Sequence, residues 1–169
     1  MDAATLTNYF YQYGAIFIFV IVFLEYLNLP GFPAGIIMPL AGIWAAKGGV
    51  GFITALIISV LAGLLGSWIL YFIGLWGGEY VLKKYIKKFP KQEKMINEKL
   101  EFLRKKGNIG VFISKLLPAV RTLISIPAGV LKLDFIKYTI WSTLGIVIWN
   151  ASFMSAGYFL GDKVLQVLG

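Results

Sequence analysis

The chain is 169 residues long, 59% hydrophobic and 14% charged, with a mean hydropathy of +0.79. Soluble domains carry about 25% charged and roughly 45–50% apolar residues, so most of this chain belongs in lipid. It has no cysteine and no histidine, which excludes a thiolate nucleophile, a disulfide framework, a usual zinc centre and an imidazole base. No catalytic constellation remains, so no enzyme, cofactor or metal site is expected.

In chain order, the first apolar stretch is Gly14–Ala46, interrupted by Glu25, Pro30, Pro33 and Pro39. No basic residue precedes it and no cleavage site follows, so it does not read as a secretory signal. Phe52–Trp76 follows, 25 residues without a charge or a proline. A bilayer core of about 30 Å needs around 20 apolar residues in a helix, so this stretch should span. Next comes Glu79–Gly107, which holds ten of the sixteen Lys and Arg residues of a chain whose net charge is +8. A lysine-rich loop between apolar stretches is the positive-inside pattern of the cytoplasmic face. It reads as a basic amphipathic segment lying on the anionic inner leaflet. A nucleic-acid partner is not expected, because no soluble domain presents the patch.

Asn108–Leu131 is apolar again, but carries Lys115, Pro118, Arg121 and Pro127. Phe135–Gly161 is the second clean span, with only Lys137 near its start. The Asn150-Ala151-Ser152 glycosylation acceptor lies inside it and is out of reach there. Tyr9, Tyr11, Tyr13, Trp76 and Tyr80 lie near segment ends, as an interfacial belt requires.

A proline inside a helix costs about 3 kcal/mol and frees a carbonyl four residues back. Lipid offers that carbonyl nothing, so such backbone must be buried in protein or line a wet cavity. The two proline-bearing stretches are therefore expected as re-entrant hairpins. Their first arms, Gly14–Glu25 and Asn108–Arg121, would be about 16 Å and about 20 Å long at 1.5 Å per residue. The whole chain then reads as a single all-α membrane domain of two repeats. Each repeat is a broken hairpin (14–46, 108–131) followed by a transmembrane helix (52–76, 135–161). Pro39-Leu40-Ala41-Gly42 echoes Pro127-Ala128-Gly129, and each span ends in a GxxxG pair, Gly74/Gly78 and Gly157/Gly161, a spacing that lets helices approach closely. With 79–107 in the cytoplasm the halves have inverted topology. The side of the N-terminus stays open, since a first hairpin that spans outright would move it inside.

Glu25, Lys115 and Arg121 are charges at membrane depth, each costing at least about 2.5–3.5 kcal/mol. Glu25 and Arg121 are expected to meet across the repeats, either as a salt bridge that fixes register or as part of a working site. The chain has fourteen lysines and two arginines, so an arginine at depth suggests a need for the planar fork that grips carboxylate or phosphate. Proline-broken segments at matching places in two halves point to a transporter binding site. Arg121, Lys115 and nearby half-helix N-termini suit an anionic group, most simply a phosphate, and Glu25 is a candidate for coupling to protons. No GxxxxGK[ST] motif is present, which argues against ATP drive within this chain.

The run from Ser114 to Gly129, SKLLPAVRTLISIPAG, resembles the signature of the DedA family, also called the SNARE-associated or VTT-domain family. Phe135, Gly145, Trp149-Asn150 and Gly157-Tyr158-Phe159-Leu160-Gly161 continue the resemblance, as do Glu25, Leu29–Pro33 and Pro39–Gly42 in the first half. The resemblance implies a plasma-membrane, multi-pass protein with two facing re-entrant hairpins that handles lipids. In the family the cargo is undecaprenyl phosphate or a phospholipid such as phosphatidylethanolamine. The family's functional acid falls on Glu25 and its second arginine on Arg121. This chain departs from the pattern at Lys115, where the family often has arginine, and at Ala34-Gly35, where it often has a second acid. The expected function is movement of an anionic lipid, undecaprenyl phosphate first, between leaflets, with or without proton coupling. A phosphatidylethanolamine flippase or scramblase and an ion-coupled small-solute transporter stay open as alternatives. A homodimer is a further option, because two clean spans make a thin wall around a cavity.

Overall fold

The computed structural model describes residues 3–28, 34–47, 50–118, 120–161 and 163. Among them every regular element is helical: α1 (Ala3–Tyr26), α2 (Ala34–Ala46), α3 (Phe52–Lys88), α4 (Glu93–Lys115), α5 (Ser125–Val130) and α6 (Phe135–Leu160), with a 3₁₀ turn at Pro90–Gln92 before α4. Two stretches, Phe52–Tyr80 of α3 and Phe135–Leu160 of α6, are long and apolar enough to cross a membrane. At 1.5 Å per residue they measure about 43 Å and about 39 Å, more than the hydrocarbon core requires. The outer face of α3 is a stripe of exposed aliphatics, Ile53, Ile57, Leu61, Leu65, Ile69 and Ile73. Water would penalise such a stripe and acyl chains would not. Among the described residues the fold is all-helical, with two helices suited to a lipid environment.

The chain forms two compact units. The first comprises Met1–Gly63 and Ile146–Gly169, and the second Leu64–Gly145. Both long helices are shared between them: α3 starts in the first unit and runs on in the second, and α6 does the reverse.

In the first unit α1 packs against α2. Helix α1 changes direction at Gly14 (φ 57°), so its second limb starts where the sequence places the first hairpin. It ends because Asn28 adopts a left-handed conformation (φ 58°), which asparagine tolerates better than other side chains. Pro30 and Pro33 lie outside the described residues. Pro39 does not break a helix, contrary to the reading of it as a hairpin breaker: it lies inside α2, which is continuous from Ala34 to Ala46. Its missing N–H leaves the carbonyl of Gly35, in the first turn of α2, without a helical donor.

In the second unit α4 bends at Gly107 (φ 57°) and ends at Lys115. The expected first arm, running to Arg121, is therefore too long. Pro118 explains the stop, because it has no N–H for the carbonyl of Ser114 and disfavours helical backbone at Leu117. From there the chain winds through tight turns, with the amides of Leu116, Leu117 and Val120 each reaching back three residues at 3.1–3.2 Å. Pro127 is the third residue of the short helix α5, where a missing N–H is no loss because first-turn amides have no helical partner. Lys132 (φ 52°) closes α5, with Leu133 N–H bonding Ala128 O at 3.1 Å and Lys132 N–H bonding Gly129 O at 2.9 Å.

The GxxxG pairs divide their work, and they do it alike in both units. A Cβ on Gly157 would collide with the carbonyl of Pro39, and one on Gly42 with the carbonyl of Met154, so α2 and α6 touch backbone to backbone. In the second unit Gly74 faces the carbonyl of Ile126 and Gly129 that of Tyr71, which joins α5 to α3 in the same way. The later glycines are not contact residues: Gly78 and Gly161 have nothing nearby and take positive φ (51° and 46°), bending α3 and closing α6. The expectation that both glycines of each pair serve close approach thus holds for the first member only.

Candidate functional site

All three charges placed at membrane depth by the sequence are buried. Glu25 is 3% exposed, Lys115 1% and Arg121 0%. Glu25 lies in the last turn of α1, in the first unit. Lys115 ends α4 and Arg121 stands in the turns after Pro118, both in the second unit. The acid and the two bases are thus carried by different units. Each sits beside a helix end, where main-chain groups lack helical partners.

Lys115 has a defined environment. Its Nζ donates to Ser67 Oγ on α3 at 2.8 Å and to Ser125 Oγ on α5 at 3.2 Å. Its stem lies against Gly145 of α6, where a Cβ would stand 2.5 Å from Lys115 Cβ. The side chain therefore ties three helices of its unit together. Close by, Tyr138 OH donates to Ser67 O at 3.1 Å, and its ring stacks on Tyr71 at 4.6 Å between centroids. Sequence reasoning named Lys115 but neither Ser67, Ser125 nor Tyr138.

The first unit has a comparable network that the sequence reading missed. Tyr26, next to Glu25, donates to Asn150 Oδ1 at 3.2 Å, Asn150 Nδ2 donates to Ser59 Oγ at 3.1 Å, and Ser59 Oγ donates to Leu56 O at 2.8 Å. Tyr26 packs over Gly63, where a Cβ would stand 2.9 Å from the ring. Asn150 is fully buried, so the glycosylation acceptor is inaccessible, as expected. A weak signal for these residues was present: Ser59 and Ser67 in α3, and Ser142 and Asn150 in α6, are polar residues eight apart, although α6 also carries Thr139, Thr143, Ser152 and Ser155.

Each unit thus has one buried polar network, Tyr26–Asn150–Ser59 in the first and Lys115–Ser67–Ser125 in the second, and the buried charges are one acid in the first unit and two cations in the second. A lysine and an arginine beside a break in the backbone can receive an anionic oxygen.

The family model described as the VTT domain matches residues 32–159. The chain is 32% identical over 162 residues to undecaprenyl phosphate transporter A of Staphylococcus aureus, covering 94% of this chain and 79% of that protein. It is 33% identical over 131 residues to undecaprenyl phosphate transporter A of Bacillus subtilis, covering 78% and 66%. It is also 28% identical over 163 residues to a Lactococcus lactis protein named alkaline phosphatase-like protein, covering 94% and 76%. No solved structure matches the chain.

Proposed function

The chain belongs to the VTT-domain family, and from that premise we propose that it is a membrane transporter moving an anionic lipid, undecaprenyl phosphate first, between the leaflets of the plasma membrane. The observation that carries the reading is the second unit's pair of buried cations, Lys115 and Arg121, set on either side of the Pro118 break in an apolar hairpin. Two relatives that align with most of this chain, at 32% and 33% identity, bear the name of undecaprenyl phosphate transporters. A phosphate monoester presents several oxygens to such a pair, and arginine can hold two of them at once.

In this mechanism Arg121 binds the head-group phosphate, while Lys115, already bonded to Ser67 and Ser125, fixes the hairpin and adds positive charge. The polyprenyl tail stays in the acyl region. Glu25 takes a proton when the cations hold phosphate and gives it up on release, which couples transport to the proton gradient. The two hairpins act as re-entrant elements of an inverted repeat, and alternate access is a rocking of one against the other. Support comes from matched positions. Phe52 and Phe135, Ser59 and Ser142, Gly74 and Gly157, and Gly78 and Gly161 are each 83 residues apart. The close approaches Gly42–Met154 and Gly129–Tyr71 recur at corresponding places. The basic segment 79–107 lies on the cytoplasmic side.

The test is leaflet exchange in proteoliposomes, with a labelled polyprenyl phosphate and labelled phosphatidylethanolamine followed in parallel. Wild type is compared with Arg121→Lys and Glu25→Gln, with and without a pH gradient. Polyprenyl phosphate exchange is expected to exceed that of empty liposomes, to fall at least about tenfold in Arg121→Lys as the two-point grip is lost, and to lose its response to the gradient in Glu25→Gln. Exchange no faster than in empty liposomes overturns the proposal.

A further inference from the structure

The basic segment 79–106 is bounded at both ends by the same unusual backbone geometry. Gly78 (φ 51°, ψ −142°) breaks α3, and Gly107 (φ 57°, ψ −138°) breaks α4. Only glycine enters this region without strain. At both positions a Cβ would meet nothing within 4 Å, so no close packing demands a glycine there. The backbone conformation itself is what demands it, and a few residues of this kind are where a chain hinges.

Next to the second hinge, the first limb of α4 (93–106) lies over the turn that carries Arg121. Its apolar stripe is Ile96, Leu100 and Leu103, at helical spacing. Leu103 belongs to the buried cluster that holds Val120 and Ile124. Met95 and Ile96 meet Val120, Leu123, Ile124 and Pro127 around a residual space of only about 10 Å³. The limb thus covers residues on both sides of Arg121, which is itself fully buried. Yet the grip is slight. Ile96 and Leu103 are the limb's two buried side chains, and its other side borders a cavity of about 280 Å³ beside Leu82 and Ile86 of α3. An element with so few buried contacts is among the first to open.

The same apolar face has a second resting place. Lys91, Lys94, Arg104, Lys105 and Lys106 are exposed on or beside the limb, and they outnumber Glu93, Glu98 and Glu101. A helix with an aliphatic face and a basic back lies well on an anionic leaflet. Leaving the hairpin for that leaflet moves the stripe from one apolar surface to another, so little burial is lost.

We propose that residues 93–106 are a hinged cover over the Arg121 turn, closed on Val120 and Ile124 and drawn open by the charge of an anionic leaflet. Gly107 is the hinge, and Gly78 lets the end of α3 follow. Opening bares the face of the hairpin from Val120 to Pro127. The cover stands on the fold alone. Under the proposed function it governs when a head group reaches Arg121, and its test makes no use of transport.

Because the chain has no cysteine, spin labels attach only where they are placed. Glu98→Cys on the limb and Leu117→Cys in the turn are both at exposed positions. Electron paramagnetic resonance then measures the limb-to-turn distance in the full chain, in nanodiscs of phosphatidylcholine alone or mixed with phosphatidylglycerol. In phosphatidylcholine the short distance should dominate. Phosphatidylglycerol should raise the ratio of long to short about fivefold for each basic residue that reaches the surface, and high salt should reverse that rise. Gly107→Ala meets no neighbour but strains the bend, so it should raise the ratio at least about fivefold in phosphatidylcholine alone. Salt should leave that rise in place. Ile96→Ser loosens the grip without touching the hinge and should move the ratio the same way. A ratio that ignores leaflet charge, or one that ignores both substitutions, overturns the proposal. Unchanged melting temperatures show that the long distance is not loss of fold.

Discussion

The two units solve one packing problem with different chemistry. In each, a short helix after a broken segment docks on a long helix through facing glycines and carbonyls, Gly42 and Gly157 in the first and Gly129 and Gly74 in the second. In each, the residue that ends the preceding helix reaches a polar position on a long helix, Tyr26 to Asn150 and Lys115 to Ser67. The first unit uses neutral groups and its buried charge is the acid Glu25. The second uses an ammonium and adds Arg121 in the turns after Pro118. A neutral network holds its helices together. A cationic network does its structural work with a side chain that also attracts anions. The docking of helices is thus common to both units, and the sign of the buried charge is what separates them.

The largest effect tests the common part. Gly157→Val and Gly74→Val each push a branched side chain into a backbone carbonyl, and a carbonyl in a helix cannot move aside as a side chain can. Overpacking costs about 1–3 kcal/mol in ordinary cores, and both variants should lie at or above the top of that range. Thermal melting in detergent should show similar, severe losses for the two. A loss confined to one would end the equivalence.

A smaller effect tests the difference. Ser59→Ala and Ser67→Ala are the same substitution in the two networks. The first removes the acceptor of Asn150 Nδ2, a neutral pair that contributes about 0.5–1.5 kcal/mol. The second removes an acceptor from the Lys115 amino group, where a charged hydrogen bond contributes about 1.5–3 kcal/mol. Chemical or thermal unfolding should therefore rank Ser67→Ala as the more damaging. The reverse order would mean that the ammonium does not anchor its unit.

Hydropathy was enough to find both long helices, whose starts at Phe52 and Phe135 appear in the structure as expected, with α3 remaining apolar to Tyr80 rather than Trp76. The prolines were read less well, because the effect of a proline depends on its surroundings. Pro118 stops α4, whereas Pro39 lies inside the continuous helix α2, and Pro127 falls in a first turn. The three buried charges were legible because any charge in an apolar stretch is conspicuous. Ser59, Ser67 and Asn150 were not, since a lone small polar residue in a span bonds its own backbone as readily as a neighbouring helix. Only the repetition of their eight-residue spacing could have singled them out. That Gly78 and Gly161 bend the chain was also hidden, because close approach and positive φ select the same residue type.

The smallest effect concerns charge outside the two networks and shows how far burial decides what a charge is worth. Glu101 accepts a 2.7 Å hydrogen bond from Lys105 four residues on, and that bond with the lysine's charge holds its carboxyl below the ordinary value of 4.5. A depressed carboxyl contributes stability above the unfolded pKa and loses it as pH falls through the folded one, so any contribution should fade on acidification below about pH 4.5. Both side chains are about two-thirds exposed or more (71% for Lys105 and 67% for Glu101). Water and salt therefore screen the pair. Glu101→Gln should melt with wild type at pH 7, and the two melting curves should remain superimposed as the pH is lowered to 3. The hydrogen bond here is as short as the one from Lys115 to Ser67 and has a charged acceptor in place of a hydroxyl, so chemistry favours the outer pair and burial the inner one. A loss at pH 7 as large as that of Ser67→Ala would mean that exposure had not weakened it, and that the contrast between the inner and outer charges of this unit had been drawn in the wrong place.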